Sequence, residues 1–598
     1  MKWLPIQTHD LQKLISPKRW IGLLLGIYGL VGLINLDRLP IAWTDEVQNL
    51  DPALVWHTTG EYASCLWPNP GAETHFLSYP PLIEGWHTLW LFVGNSIWMV
   101  RLPFLLFQLI SGYLFYCIVL AILNPRKIPK IPATNTSSKS AIHGLNSTRT
   151  PFVFSLVMTA FFLLDKSTAE ISRSMRVEIL VMLLVLSLIY GIQKLPSPVQ
   201  SGMDWIQKNK PFAFAKQMGF LGLVVGSLTM AHLYTWPMVF ISSLWLINIC
   251  IQPENRQNRL SIVSLFVGLF APFVLFWVSV KPEWHNLIAQ ISFQAQEHQA
   301  NSIFKNIVDF FYTRFIPYTL EQPYTLVLHF MAWIASFYLL FKQYKSLPTF
   351  WKNILNKNRV SHHYMQGVYT LIPLLFLSFS IPVAILLAPQ HRYYPIQNML
   401  GLLVFVVLFT TQKSKVRGGI PDVIHTRSWF SIANLFPEWT LLFLRKLLIG
   451  IVLILLIFPF AIRHTVAILQ GPERNPSTAI EFLNKNLNQM GGGEILGEPI
   501  AEYWLAQTPQ AKHWTYGFEF YPQHYPFNPN IPRYFLSRVR PKQLPFLQTI
   551  DSLLIKPQWA FTASFGHTYN GLYLYKIPSN TAWRTLTKPA MLKITSGH

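Results

Sequence analysis

Apolar runs that contain no Asp, Glu, Lys or Arg recur eleven times along the chain, at about 21–36, 102–123, 151–164, 179–193, 217–234, 237–251, 260–280, 324–341, 368–388, 396–411 and 447–462. A bilayer core requires about 20 apolar residues of helix, because only a helix or a closed barrel satisfies its own backbone there. Several runs are short, the third and fourth especially, so those spans tilt or extend through flanking residues. The composition agrees. Of 598 residues 51% are hydrophobic and only 12% charged, against about 25% charged in a soluble domain. A water-soluble globular chain is excluded, and a mainly α, polytopic membrane protein with about eleven spans is expected.

The formal charge of +22 would suggest a nucleic-acid partner in a soluble protein. Its distribution assigns it to topology instead. With the N-terminus cytoplasmic, the inner segments are 1–20, 124–150, 194–217, 253–260, 342–367 and 412–446. They hold 26 Lys and Arg against five acidic residues, a net +21, which is the positive-inside pattern. No nucleic-acid partner is therefore expected. An odd number of spans then puts 463–598 on the outer side. No small-residue cleavage site follows the first span, which reads as uncleaved. Segment 124–150 reads as a flexible cytosolic linker. Cys65, Cys117 and Cys250 are too few and scattered for a disulfide framework or thiolate metal site.

Orientation places the unusual chemistry outside. The first outer segment, about 37–100, contains Asp37, Asp45, Glu46, Asp51, Glu61, Glu73 and Glu84, with Arg38 as its sole strong base. Two adjacent carboxylates, Asp45 and Glu46, can supply a general base, a metal ligand or an anion for an amine. Equally, Asp45 can be a helix N-cap in a solvated turn. The string Leu77-Ser-Tyr79-Pro-Pro-Leu-Ile-Glu84-Gly-Trp86 breaks the backbone and starts a helix at 82. Trp86, Trp90 and Phe92 suit an interfacial position for that helix. Next comes Gly94-Asn-Ser-Ile-Trp98-Met-Val-Arg101-Leu-Pro103.

An Asp-Glu pair after the first span, then Tyr-Pro-Pro-Leu, then Gly-x-Ser-x-x-x-x-Arg-Leu-Pro, resembles the type C (GT-C) glycosyltransferases. The protein O-mannosyltransferases and the lipid A aminoarabinose transferases are the groups it looks most like. The resemblance covers 1–411 best. It implies an enzyme that takes a sugar from a polyprenyl-phosphate-linked donor at the outer face, with two interfacial helices in the first outer loop. The family's catalytic acid maps onto Asp45, with Glu46 beside it.

A second matching patch is Ser172-Arg173-Ser-Met-Arg176-Val-Glu178, between the third and fourth spans. The family pattern there is Arg, Arg and an acid, usually Asp, so Glu178 is a departure. Charges at that depth are costly unless paired, and snorkelling arginines paired to Glu178 would explain them without function. The third patch, Pro389-Gln-His391-Arg392-Tyr393-Tyr394-Pro395, resembles the family's Arg-Tyr-Tyr-x-Pro element. A guanidinium beside tyrosines suits a phosphate, and a tight turn of interfacial aromatics is the other reading. The resemblance implies Asp45 as general base with inversion of the anomeric centre, and Arg173, Arg176, Arg392, Tyr393 and Tyr394 around the donor phosphate. Glu178, Tyr79, His232 and His391 would support them.

His232, in His232-Leu-Tyr-Thr-Trp236-Pro, completes the outer rim, although a lone His is more often structural. The outer loop 281–325, with Trp284, His285, Glu297, His298 and Glu321, can close over a substrate or simply pack. Its spacing matches no metal motif, so no metal or other cofactor is required, although a divalent metal stays possible. Residues 1–462 form the transmembrane domain and 463–598 an outer α/β domain. In the latter, Thr478-Ala-Ile-Glu481 reads as a capping box, Glu494-Ile-Leu as a strand and 500–506 as a helix. The aromatic run from Trp514 can stack on sugars, or be core.

The acceptor, whether lipid, polysaccharide or protein hydroxyl, is not readable. Partners are thus the lipid-linked sugar, that acceptor and membrane lipids. A transporter or flippase would carry ionisable residues within its spans, whereas here charge gathers at the outer rim. A noncatalytic receptor or assembly protein would leave the three patches unexplained as a set.

Overall fold

In the computed structural model of the chain, the described residues are 17–37, 44–64, 76–77, 81–94, 96–124, 149–195, 211–251, 259–280, 285–290, 292, 323–355, 363–386 and 393–417. Short pieces between 457 and 469 follow, then 476–490, 493–497, 511–515, 534–537, 548–554 and 571–576. Residues 125–148 of the linker, most of 281–325 and of the eleventh run 447–462, the segment 500–506 and the aromatic run beyond Thr515 lie outside them.

The helices are α1 (Pro17–Leu33), α2 (Thr44–Thr59), α3 (Leu82–Leu91), α4 (Ile97–Leu123), α5 (Arg149–Leu164), α6 (Lys166–Ile171), α7 (Val177–Gln193) and α8 (Pro211–Ala231). They continue as α9 (Trp236–Ile251), α10 (Arg259–Val280), α11 (Pro323–Leu355), α12 (His363–Leu386), α13 (Tyr394–Arg417) and α14 (Pro476–Met490). The first ten apolar runs fall on α1, α4, α5 and α7 to α13. Three of these helices, in α4, α8 and α10, are long and apolar enough to cross a membrane by length and composition, and seven shorter apolar helices accompany them. The architecture is a mainly α, polytopic membrane fold.

The outward faces tell the same story. On α10, Val263, Val267, Phe270, Val274, Leu275 and Val278 are all more than half exposed, as are Leu23, Ile27 and Leu30 on α1. An exposed apolar surface of that extent would be insoluble in water and fits hydrocarbon. Inside, the helices share one core of Leu, Ile, Val, Met and Phe centred on α4, α7, α8, α12 and α13.

α8 and α10 approach backbone to backbone. A Cβ at Gly222 would stand 2.2 Å from the Leu265 carbonyl oxygen, and one at Gly268 2.1 Å from that of Gly219. Small residues at such a crossing replace the hydrophobic driving force that lipid cannot supply.

α3 begins at Leu82, directly after the Pro80-Pro81 pair, and its polarity is inverted. Glu84 and His87 are buried, while Trp86, Leu89 and the following Phe92 and Val93 are exposed. An apolar outer face on a short helix between spans is what an interfacial helix presents to lipid. The helix packs on α2, where the Thr88 hydroxyl donates to the Ala53 carbonyl at 3.4 Å.

The C-terminal part is α14 followed by a five-stranded sheet of β1 (Gly493–Gly497), β2 (Ala511–Thr515), β3 (Tyr534–Ser537), β4 (Gln548–Leu554) and β5 (Gly571–Lys576). The order is β2-β1-β3-β5-β4. β1 pairs in parallel with β2 and β3, and β5 runs antiparallel between β3 and β4. The strand expected at Glu494-Ile-Leu is β1. The capping box is corrected: α14 starts at Pro476, so Thr478 lies inside the first turn rather than before it. Proline's fixed φ and missing N–H suit the first helical position. The buried Leu483, Leu487, Leu536 and Leu574 form its interior.

Candidate functional site

α1 is followed by Asn35 at φ 51°, the left-handed conformation that closes helices. Its last carbonyls have no helical partner. Arg173 supplies one. Its Nη1 donates to the Gly32 and Val31 carbonyls at 2.7 and 3.3 Å, and its Nη2 to that of Ile34 at 2.6 Å. The side chain is 1% exposed, and the Ser172 hydroxyl lies 3.1 Å from the Tyr28 hydroxyl on α1. The arginine turn is thereby fastened to the end of the first span.

The Asp45-Glu46 pair stands on the first turn of α2. The Asp45 side chain lies outside the described residues. Glu46 is fully buried and joined to Arg101 of α4, which is equally buried. Arg101 Nη2 donates to Glu46 Oε2 at 2.7 Å and Nε to Oε1 at 3.2 Å, while Nη1 donates to the Leu36 carbonyl at 2.9 Å. The Met175 N–H donates to Glu46 Oε1 at 2.7 Å. Two of the three sequence patches therefore meet in one hydrogen-bonded unit.

Arg176 and Glu178 flank the start of α7. Arg176 Nη2 donates to Glu178 Oε1 at 3.1 Å, with both side chains almost fully buried. Glu178 Oε2 has no hydrogen-bond partner among the described residues.

The third patch opens α13. Arg392, His391 and Tyr79 lie outside the described residues. Tyr393 and Tyr394 are buried. The Tyr393 ring meets Tyr234 and His232 edge-on, with centroids 4.9 and 5.8 Å apart, so the His232 segment and the Arg-Tyr-Tyr element share one aromatic cluster. His232 Nδ1 accepts from the Tyr234 N–H at 3.3 Å.

One turn into α13, the Asn398 Nδ2 donates to Asp165 Oδ1 at 3.1 Å. Asp165 is also the N-cap of α6, where its Oδ2 accepts from the Thr168 N–H at 2.9 Å. α6 leads directly into the arginine turn, so α13 is tied to the second patch as well.

Sequence reasoning missed Arg101 as a site residue, although it lies within the Arg-Leu-Pro string and is the one charge in α4. It also missed Asp165, Lys166 and Glu170, all buried beside the turn. Their signal was a charged stretch between two short apolar runs, read only from Ser172 onward. Among the described residues no group of three or more His, Cys, Asp or Glu gathers as a metal site.

Chemically, the rim offers an acid at the start of α2, an arginine–glutamate pair at the start of α7 and tyrosines at the start of α13, bordered by apolar spans. That combination suits a substrate with a charged head and a hydrocarbon tail.

No family model and no curated protein matches the chain. Solved structures similar to it include two of one protein. ArnT from Cupriavidus metallidurans bound to undecaprenyl phosphate superposes with a TM-score of 0.46 at 11% identity, over 94% of this chain and 99% of that one. The same protein in the apo state gives 0.44 at 10% identity, over 94% and 98%.

Proposed function

We propose that the protein is an integral-membrane glycosyltransferase that moves a sugar from a polyprenyl-phosphate-linked donor to an acceptor at the outer membrane face. The observation that carries this reading is the junction of the Asp45-Glu46 turn with the Arg173–Arg176 turn through Glu46 and Met175, at the outer ends of apolar spans. The motif resemblance of 1–411 supplies the reaction class.

A lipid-linked sugar carries its own phosphate leaving group. Two tasks are left to the enzyme: taking a proton from the acceptor hydroxyl and stabilising the departing phosphate. Asp45 is the general base, which attack from the opposite side of the anomeric carbon turns into an inverting displacement. Arg176 and Arg392 neutralise the phosphate, with Tyr393 and Tyr394 as neighbouring hydroxyls. A well-placed donor of this kind contributes about 3–4 kcal/mol to the transition state. Arg173, whose donors face the end of α1, holds the turn. Glu178 orients Arg176, and the lipid tail lies between spans. Residues 463–598 form an outer domain, with the N-terminus cytoplasmic.

The test incubates purified protein with a panel of polyprenyl-phosphate sugars and measures release of the lipid phosphate. Asp45→Asn should abolish release while donor binding stays measurable. Turnover at the wild-type rate in that variant would remove Asp45 from the chemistry.

A further inference from the structure

We infer that Glu46 and Arg101 form a positioning clamp for Asp45, and that Glu46 is not a second proton acceptor. The inference rests on the reading of Asp45 given above. Glu46 is sealed from solvent, and the donors on its carboxylate include Arg101 Nε, Arg101 Nη2 and the Met175 N–H. A carboxylate offers about four lone-pair directions, so little is left for an acceptor hydroxyl. Adjacent helix residues project about 100° apart, and Glu46 spends its direction on the protein interior.

The clamp joins four separate pieces of chain. Arg101 belongs to α4, its Nη1 holds the carbonyl of Leu36 beyond α1, its fork holds the first turn of α2, and Glu46 reaches the arginine turn. Arg173 closes the loop by binding the end of α1 from that same turn. The Asp45 segment and the Arg176 segment thus stand on pieces of chain joined through the Glu46 carboxylate, which the Arg101 ion pair holds in place. Misplacing reacting groups by about 1 Å costs on the order of 10²-fold in rate.

The experiment compares Glu46→Gln, Glu46→Ala, Arg101→Gln and Arg101→Lys in the full-length protein. In Glu46→Gln, kcat should fall about 10²-fold with the donor KM within about threefold, and the acid limb of the pH–rate profile should persist. Arg101→Lys should recover part of the loss of Arg101→Gln, since it restores the charge without the fork. Independently of activity, amide exchange in the 172–177 segment should accelerate about tenfold or more in Glu46→Ala, through loss of the Met175 hydrogen bond.

Unchanged exchange in that variant would overturn the clamp. So would loss of the acid limb in Glu46→Gln with Met175 still protected, because Glu46 would then be the base. If Glu46 variants fail to fold, Arg101→Lys decides: a wild-type kcat with wild-type exchange sinks the inference. Turnover in Asp45→Asn would sink the reading of Asp45 alone, with the exchange result still judging the clamp.

Discussion

Glu84 and His87 lie three residues apart on the buried face of α3, and both carry polar atoms without a hydrogen-bond partner among the described residues: Glu84 Oε2 and both His87 ring nitrogens. Burial pushes the Glu84 carboxyl up to about 8 and the His87 imidazole down to about 3. Both shifts favour the neutral form, as a low-dielectric site demands. Between 4.5 and about 8 the folded protein binds one proton more at Glu84 than the unfolded chain, so stability falls as pH rises. Between about 3 and 6.5 the unfolded chain binds one proton more at His87, so stability rises with pH. The two slopes oppose each other from 4.5 to 6.5, and above 6.5 only that of Glu84 acts. Thermal unfolding in detergent should therefore show a loss of about 1.5–2 kcal/mol between about pH 6.5 and 8. Glu84→Gln should flatten that interval, and an unchanged slope in the variant would place the titration elsewhere.

At the scale of elements, the α8–α10 crossing is the contact most sensitive to a single methyl. Gly222 and Gly268 face carbonyl oxygens at distances no Cβ can share, so Gly222→Ala or Gly268→Ala must push two backbones apart. A destabilisation of about 1–3 kcal/mol is expected for each, read as a lower unfolding midpoint in detergent. Gly26→Ala on α1, with nothing within 4 Å of its Cβ, serves as the control and should leave the midpoint near wild type. Helices were legible at this scale because a period of apolar residues and two prolines are local signals. The run at 179–193 and the start at Leu82 needed no tertiary knowledge. α6 was not legible: the six residues Lys166–Ile171 are mostly polar, and the Asp165 that caps them is held by Asn398, more than two hundred residues away.

For the whole molecule, the Lys and Arg bias makes a topological prediction. In a background without native cysteines, a cysteine at Ser138 in the 124–150 linker should react with a membrane-impermeant thiol reagent only after the cytoplasmic side is opened. A cysteine at exposed Ile550 in β4 should instead react in intact cells. Reversed labelling would invert the orientation and move Asp45 to the cytoplasmic face.

By itself the sequence determined the solvent, and its charge asymmetry predicts a direction of insertion. Apolar runs and charge asymmetry act through transfer free energies, which add residue by residue and need no fold. It also carried Asp45, Arg173, Arg176 and the Arg392 element as separate strings. Only the tertiary structure showed which partners the buried charges of the first two strings hold, because a buried charge takes its role from its nearest partner. Arg173 faces the end of α1, Glu46 faces Arg101, and Met175 contributes a backbone N–H that no side-chain motif could announce. The ion pair between Glu46 and Arg101 spans fifty-five residues of sequence and 2.7 Å of space.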